Sequence, residues 1–438
     1  MIMRAALPAA LSVFGPDGLV GTLYPDEPLA FSYAPSWLDN SAATALHPGI
    51  ELAPGRANSR FVTAFFENLL PEGDQRKLIS MREQVSSVYG LLWKVGGESA
   101  GSVVLLPEGE QPQAPVYQNL TWEQVNALAH AGSQPQEQAA IERAARDLPR
   151  PRMSISGAQH KLLLYIDADG RPCRPMGSSP STHILKPDIA RQDIHVFASA
   201  ANETIMMLLA HRCGLPVARV AYQPLVQACL VERYDRERVG NGQLRRIWQA
   251  DFCQLLGMPS DVKYEHDGGP GFKDCFDLLA RSTQPGVDRR NLLRWLFFNL
   301  CTGNNDSHAK NLSMVASGRG MRLAPFYDLM CTRVYTGLGS RFAFSVAGET
   351  DPGRIGAAHV ADLARTLGVG EKYLKKLGLD MAASIEAALP SAAQEVMPLL
   401  APGQRVLVER IMNKVGSLSR KLRQRIDGAA ANDDAMDM

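Results

Sequence analysis

Gly303-Asn304-Asn305-Asp306-Ser307-His308-Ala309-Lys310-Asn311-Leu312 is the stretch on which the reading of this sequence turns. It follows LLRWLFFNL (292–300), a run apolar on every side that reads as a buried helix. A dense polar cluster directly after such a helix reads as a loop on a rigid scaffold, the kind of place where catalytic groups gather. Asp306 supplies a carboxylate that can accept or orient a hydroxyl proton. Asn311 supplies an amide oxygen that can face a hard cation.

The five-residue separation of Asp306 and Asn311 is the D-x-x-x-x-N spacing of a protein-kinase catalytic loop. Lys310 beside them adds a cation to screen a transferring phosphoryl group. Seventeen residues beyond Asn311 stands Pro325-Phe326-Tyr327-Asp328-Leu329, whose Asp328 occupies the place of a second Mg²⁺ carboxylate. Taken singly, an Asn/Asp-rich loop is usually a turn and an Asp after Tyr is usually a cap. Their order and separation favour phosphoryl-transfer chemistry. Upstream, Lys186 ends the apolar strand HILK, the position of a phosphate-binding lysine, and Glu203 opens a helix 17 residues later as its candidate partner. In isolation these two are a surface lysine and a glutamate favoured by a helix N-terminus. The loop Ser156-Gly157-Ala158-Gln159-His160-Lys161 has small side chains that would let backbone N–H groups lie over phosphates. Glu232-Arg233-Tyr234 ends a strand where a hinge would offer backbone groups and an aromatic ring to adenine.

Composition sets the outer bounds. The chain has 438 residues with 45% hydrophobic and 21% charged content, ordinary globular usage that rules out a wholly disordered chain or a coiled-coil rod. Lys and Arg total 46 against 45 Asp and Glu, so no global basic field for nucleic acid exists. Seven cysteines without a CxxC or CxC pair suggest neither a disulfide framework nor a zinc ribbon, and a reducing cytoplasm fits best. No run of 18 apolar residues occurs, so no membrane-spanning helix is expected. Pro8 breaks the short apolar run at the start, which reads as a strand and turn rather than a signal peptide.

Along the chain, residues 11–35 read as β-hairpins, 59–79 as a helix broken at Pro71, and 86–106 as a helix, a GGESAG stretch and a strand. Residues 107–117 (PEGEQPQAPVY) and 147–153 read as connectors, with a broken helical stretch at 120–145 between them. From 154 to 235 strands prevail, interrupted by a helix at 198–215 closed by Gly214. From about 245 onward the chain reads as mostly helical, and the small, acidic tail after 428 as disordered. Residues 405–425 carry seven Lys/Arg and one Glu on a helix whose apolar positions keep helical spacing. That basic side is usually a solvated face, and it would also add salt-dependent affinity for nucleic-acid phosphates.

Together these segments resemble the HipA family, the serine/threonine-protein kinase toxins of bacterial type II toxin–antitoxin pairs. The resemblance runs from roughly residue 10 to 420. It rests on APSWL (34–38), FFENLLPEG (65–73), GGESAGSVVLLPE (96–108), SISGAQHK (154–161), THILKP (182–187), NE (202–203), VERYDR (231–236), DFCQLLG (251–257), VKYEHDGGPG (262–271), TGNNDSHAKN (302–311) and APFYDL (324–329), all in order. It implies an α+β, two-lobed kinase-like fold: a family-type N-terminal subdomain at 1–147, the ATP-binding part of the N-lobe at 148–236, a helical C-lobe with the catalytic loop at 237–430, and a tail at 431–438. Asp306 would be the catalytic aspartate, and Asn311 and Asp328 would hold Mg²⁺. ATP would be bound by Ser156 to Lys161, by Lys186, by Glu232, Arg233 and Tyr234, by His308, Ala309, Lys310 and Asn311, and by Tyr327 and Asp328.

The family also phosphorylates itself on a loop serine and is thereby inactivated. Ser154 and Ser156 are the two candidates, and the added charge beside the nucleotide phosphates gives the physical reason. The implied partners are a HipB-like helix-turn-helix antitoxin dimer, operator DNA mainly through that antitoxin, and a protein substrate of translation, an aminoacyl-tRNA synthetase such as glutamyl-tRNA synthetase. Phosphorylating it would arrest growth. The competing readings are a non-catalytic, ATP-binding corepressor and a small-molecule phosphotransferase. The intact Asp306, Asn311, Asp328 and Lys186 argue against the first, and the Ser154 loop against the second.

Overall fold

The computed structural model describes residues 7–130, 134–152, 160–189, 196–318 and 320–428. The chain divides into two compact units: 1–186 with 232–263 and 314–316, and 187–231 with 264–313 and 317–438.

The first unit is built on strands. Alternating apolar residues in LSVFG and LVGTLY form the antiparallel pair Leu11–Gly15 and Gly18–Tyr24 around the Pro-Asp-Gly turn. This pair sits in a five-stranded antiparallel sheet in the order Arg56–Asn58, Ala30–Tyr33, Gly18–Tyr24, Leu11–Gly15, Val104–Pro107. The helix Arg60–Glu67 buries Phe65 and Phe66 against it, with the Phe66 ring 5.9 Å from Phe31. The expected break comes before Pro71: the helix closes at Glu67 with Asn68 as its cap, and a second helix, Gly73–Glu83, follows. Further along, Val116–Asn119, Pro172–Met176, Leu162–Ile166 and His183–Pro187 pair antiparallel in that order. The stretch read as a connector at 107–117 thus runs into the strand Val116–Asn119. Its four residues lie between a Pro-rich run and a helix cap, too short for alternation to show.

The second unit is mainly helical. Helix Pro285–Thr302 buries Leu292, Leu293, Trp295, Leu296, Phe297, Phe298 and Leu300, as its all-round apolar run requires. It packs against Glu371–Val396 and Pro402–Asp427. The helix Ser199–Arg212 ends with Gly214 at a φ of 72, the left-handed position anticipated for it. The region from 245 onward is less uniformly helical than expected. Leu244–Arg246, Gln249–Asp251, Ser313–Ser317 and Gly320–Leu323 are strands of three to five residues. Strands this short leave little periodicity to read.

All seven cysteines are buried free thiols, and burial pushes Cys213, Cys301 and Cys331 up to about 12. They are small apolar fillers rather than nucleophiles. Among the described residues no helix is long and apolar enough to cross a membrane.

Candidate active site

Helix Pro285–Thr302 delivers the polar loop. It stops at Gly303, whose φ of 68 is left-handed and whose N–H caps the carbonyl of Asn299. A Cβ at this position would lie 2.7 Å from Leu418 Cδ1, so both conformation and space demand glycine. Side chains then pin the loop to its surroundings. Asn304 Nδ2 donates to Asn299 Oδ1 (2.8 Å), the Asn305 N–H donates to Thr332 Oγ1 (2.9 Å), and Thr332 Oγ1 donates to the Gly303 carbonyl (3.0 Å). Asn305 Nδ2 donates to the carbonyls of Gly339 and Ser340. These bonds bury Asn304, Asn305, Ser307 and His308 and leave Asp306 exposed between them. A carboxylate presented this way on an otherwise buried loop is poised for a substrate rather than for packing.

Asn311 Nδ2 donates to the Asp306 carbonyl at 2.9 Å. That bond closes the D-x-x-x-x-N stretch on itself and turns the amide oxygen of Asn311 the other way. The Tyr327 hydroxyl donates to the Lys310 carbonyl at 2.9 Å and lies 2.8 Å from Ser313 Oγ. The residue before Asp328 is therefore tied to the residue before Asn311, which draws the carboxylate and the amide toward one locus. Phe326 is fixed from both sides: it bridges Val217 in parallel, and its ring stacks on Trp295 at 5.8 Å. Asp328 itself has a φ of 60. A left-handed non-glycine costs on the order of 1–3 kcal/mol and persists where its surroundings over-determine it, commonly at functional sites.

Two contributors escaped the sequence reading of individual residues. Asn202 exchanges two hydrogen bonds with the backbone of Cys331, three residues past Asp328, at 3.0 and 2.9 Å. It thereby stitches the segment after Asp328 to the helix that carries the fully buried Glu203. The Tyr264 hydroxyl donates to Asp306 Oδ1 at 2.5 Å, and its ring meets His308 edge-on at 5.0 Å. Both residues stand in segments that carried the resemblance, NE and VKYEHDGGPG, and that was the signal available for them.

The remaining candidates lie in the first unit. Lys186 is 4% exposed on its strand. His160 and Lys161 are half-buried, and burial, reinforced by His130, holds the His160 imidazole below its usual value. Ser154, Ser156, Gly157, Ala158 and Gln159 lie outside the described residues. Glu232 is exposed, and the Tyr234 hydroxyl donates to Gln249 Oε1.

The Arg233 side chain is committed within the fold, which leaves the nucleotide expectation at this position to its backbone. Its Nε and Nη2 donate to Asp235, Nη1 donates to Glu98 Oε1 and Ser181 Oγ, and Nη2 also donates to the Ser99 carbonyl. All five guanidinium donors are thus committed inside a buried cluster, and the side chain has none to give a ligand. Arg236 and Arg246 converge on the same Glu98. Burial works to raise the Glu98 carboxyl, but the guanidiniums of Arg236, Arg246 and Arg233 outweigh it and hold Glu98 well below the usual carboxylate range.

A divalent cation fits the donors present. Asn311 and Asp328 offer hard oxygens, the kind Mg²⁺ takes in small number while phosphates complete its shell. Among the described residues no group of three His, Cys, Asp or Glu forms a metal cage.

Comparison with known proteins gives the family of the chain. Residues 11–106 match the HipA N-terminal domain, and residues 153–389 match the HipA-like C-terminal domain. The chain belongs to the HipA family, whose members are serine/threonine kinases. It is 33% identical to the kinase-type protein Y4mE of Sinorhizobium fredii over 90% of this chain and 94% of that one. It is 29% identical to the serine/threonine-protein kinase toxin HipA of Shewanella oneidensis, over 91% of this chain and 92% of that one. The solved structure of a Shewanella oneidensis HipA, determined with HipB and operator DNA, superposes with a TM-score of 0.80 at 26% identity, covering 95% of this chain and 97% of that one. The expected α+β fold, with a mixed N-terminal part and a mainly helical C-terminal part, holds.

Proposed function

We propose that this chain transfers the γ-phosphoryl group of ATP, with Mg²⁺, to a serine or threonine hydroxyl of a protein, and that it acts as the toxin of a toxin–antitoxin pair. The observation that carries the reading is the exposed Asp306 on an otherwise buried loop, tied to Asn311 within the loop, with Asn311's neighbour bonded to Tyr327 beside Asp328.

Each residue has a task in this reading. Asp306 receives the proton of the attacking hydroxyl. Asn311 and Asp328 hold the cation, which neutralises charge on the phosphates. Lys186 and the loop from Ser156 to Lys161 bind the phosphates, with His308, Ala309, Lys310 and Tyr327 lining the nucleotide site. The backbone of 232–234 and the Tyr234 ring receive adenine, while the Arg233 side chain serves the fold. Catalysis of this kind rests on positioning and electrostatics rather than on a covalent intermediate. Phosphate on Ser154 or Ser156 would place about 1.5 to 2 negative charges beside the nucleotide phosphates and switch the kinase off.

The full-length likeness to a protein solved with HipB and operator DNA supports a HipB-like antitoxin dimer as partner, with DNA reached mainly through it. The substrate class we favour is a translation component, an aminoacyl-tRNA synthetase such as glutamyl-tRNA synthetase, acted on in the cytoplasm. Induced expression tests the toxin role. Wild type is expected to arrest growth, Asp306→Asn to relieve the arrest, and co-expressed antitoxin to suppress it. Arrest of equal strength by Asp306→Asn would instead mark a non-catalytic binding protein.

A further inference from the structure

The hydroxyl that reaches Asp306 belongs to a fixed element. Tyr264 opens a tight turn in which its carbonyl accepts the N–H groups of Asp267 (3.1 Å) and Gly269 (2.8 Å). The adjacent Glu265 accepts both the N–H (2.8 Å) and the hydroxyl of Ser345. Ser345 follows Phe344, which is fully buried and packs edge-on against Phe272 and Trp295 at 5.6 and 6.2 Å. Trp295 lies on the same helix that delivers the Asp306 loop. The Tyr264 hydroxyl and the Asp306 carboxylate are thus anchored to one core from two directions, and the Tyr264 ring braces His308, two residues past Asp306.

An exposed carboxylate rotates about its last side-chain bond, a broad torsion with little intrinsic preference. A strong donor at Oδ1 restricts that rotation and narrows the direction that Oδ2 faces. We infer that Tyr264 is a positioning residue for Asp306: its hydroxyl holds Oδ1 so that Oδ2 receives the proton of the substrate hydroxyl. This rests on the kinase reading above. In the step it serves, the substrate oxygen bonds to the γ-phosphorus and its proton passes to Asp306 Oδ2. The bond from the γ-phosphorus to the bridging oxygen breaks, and its electron pair leaves on ADP. Tyr264 keeps its own proton throughout and acts only through Asp306. The rigid anchoring argues for this role over that of a mobile plug, which would need an element able to swing away.

Tyr264→Phe removes the O–H and keeps the ring on His308. The test uses the full-length, phosphatase-treated chain with γ-labelled ATP and Mg²⁺, following label on the chain itself and on casein, for wild type, Tyr264→Phe and Asp306→Asn. The inference expects Tyr264→Phe to lower the maximal transfer rate about tenfold or more, as loss of oriented proton transfer does. The ATP concentration for half-maximal rate should stay within about twofold and the melting temperature should hold, since the lost bond touches neither nucleotide nor core. Transfer by Tyr264→Phe equal to wild type would overturn it. Faster transfer would overturn it as well and would make the hydroxyl a block on the aspartate. An inert wild type of unmodified mass would sink the kinase reading itself, an outcome separate from either.

Discussion

At the residue scale, the proposed function rests on side chains whose hydrogen bonds fix which of their groups remains for a ligand. Asn311 commits its amide N–H to the Asp306 carbonyl, so its oxygen is the group on offer to a cation. Asn311→Ala should raise the Mg²⁺ concentration needed for half-maximal phosphoryl transfer while leaving the melting temperature nearly unchanged, which a Mg²⁺ titration and a thermal melt would check together. Tyr327→Phe removes one tie between the segments carrying Asp328 and Asn311, a neutral bond worth about 0.5–1.5 kcal/mol. It should weaken Mg·ATP binding several-fold with only a small loss of stability, readable by calorimetric titration. The Arg233 guanidinium has a partner that no short motif encodes. A Glu-Arg-Tyr at a strand end reads as a hinge, but the partner that claims the arginine, Glu98, lies 135 residues earlier. Spacing along the chain carries no trace of a pairing that distant.

At the element scale, the buried helix and the loop that follows it were legible together, because a stretch with seven apolar residues in nine (292–300) leads into the polar run Asn304 to His308. Trp295 sits at the centre of that element, fully buried and stacked on Phe326. Trp295→Ala should cost about 3–5 kcal/mol through lost burial and the cavity left behind. It should also impair transfer, since Phe326 leads directly into Tyr327 and Asp328; denaturant unfolding and activity would be measured on the same sample. Gly303→Ala meets both a left-handed φ and Leu418, so it should lower stability and misplace the loop. The short strands at 116–119, 244–251 and 313–323 were not legible. Strands of three to five residues owe their existence to pairing partners, which propensity does not encode.

At the scale of the whole molecule, the family likeness spans nearly the full chain, and the charge cluster in the first unit gives it a measurable dependence on pH. Glu98 is reached by Arg233, Arg236 and Arg246, and Asp235 by Arg233 and Arg236. For Asp235 too, burial pushes upward, and the two arginines outweigh it and hold the carboxyl low. Carboxyls held low in the folded state contribute stability that is fully present above the unfolded value, about 4, and drains away as pH falls toward the folded values. The melting temperature should therefore be level from pH 7 to 5 and fall below about pH 4. Glu98→Gln should blunt that fall. Glu98→Ala should cost about 3–5 kcal/mol, because it leaves buried guanidiniums uncompensated.

Phosphoryl transfer that depends on Asp306 can be read in a single labelling experiment. Purified wild type and Asp306→Asn are incubated with γ-labelled ATP and Mg²⁺, and any label is mapped by mass spectrometry against the intact mass of each starting protein. Label is expected on the wild-type peptide containing Ser154 and Ser156 and none on the mutant. A wild-type protein of unmodified mass that takes up no label and passes none to an added acceptor would contradict that expectation.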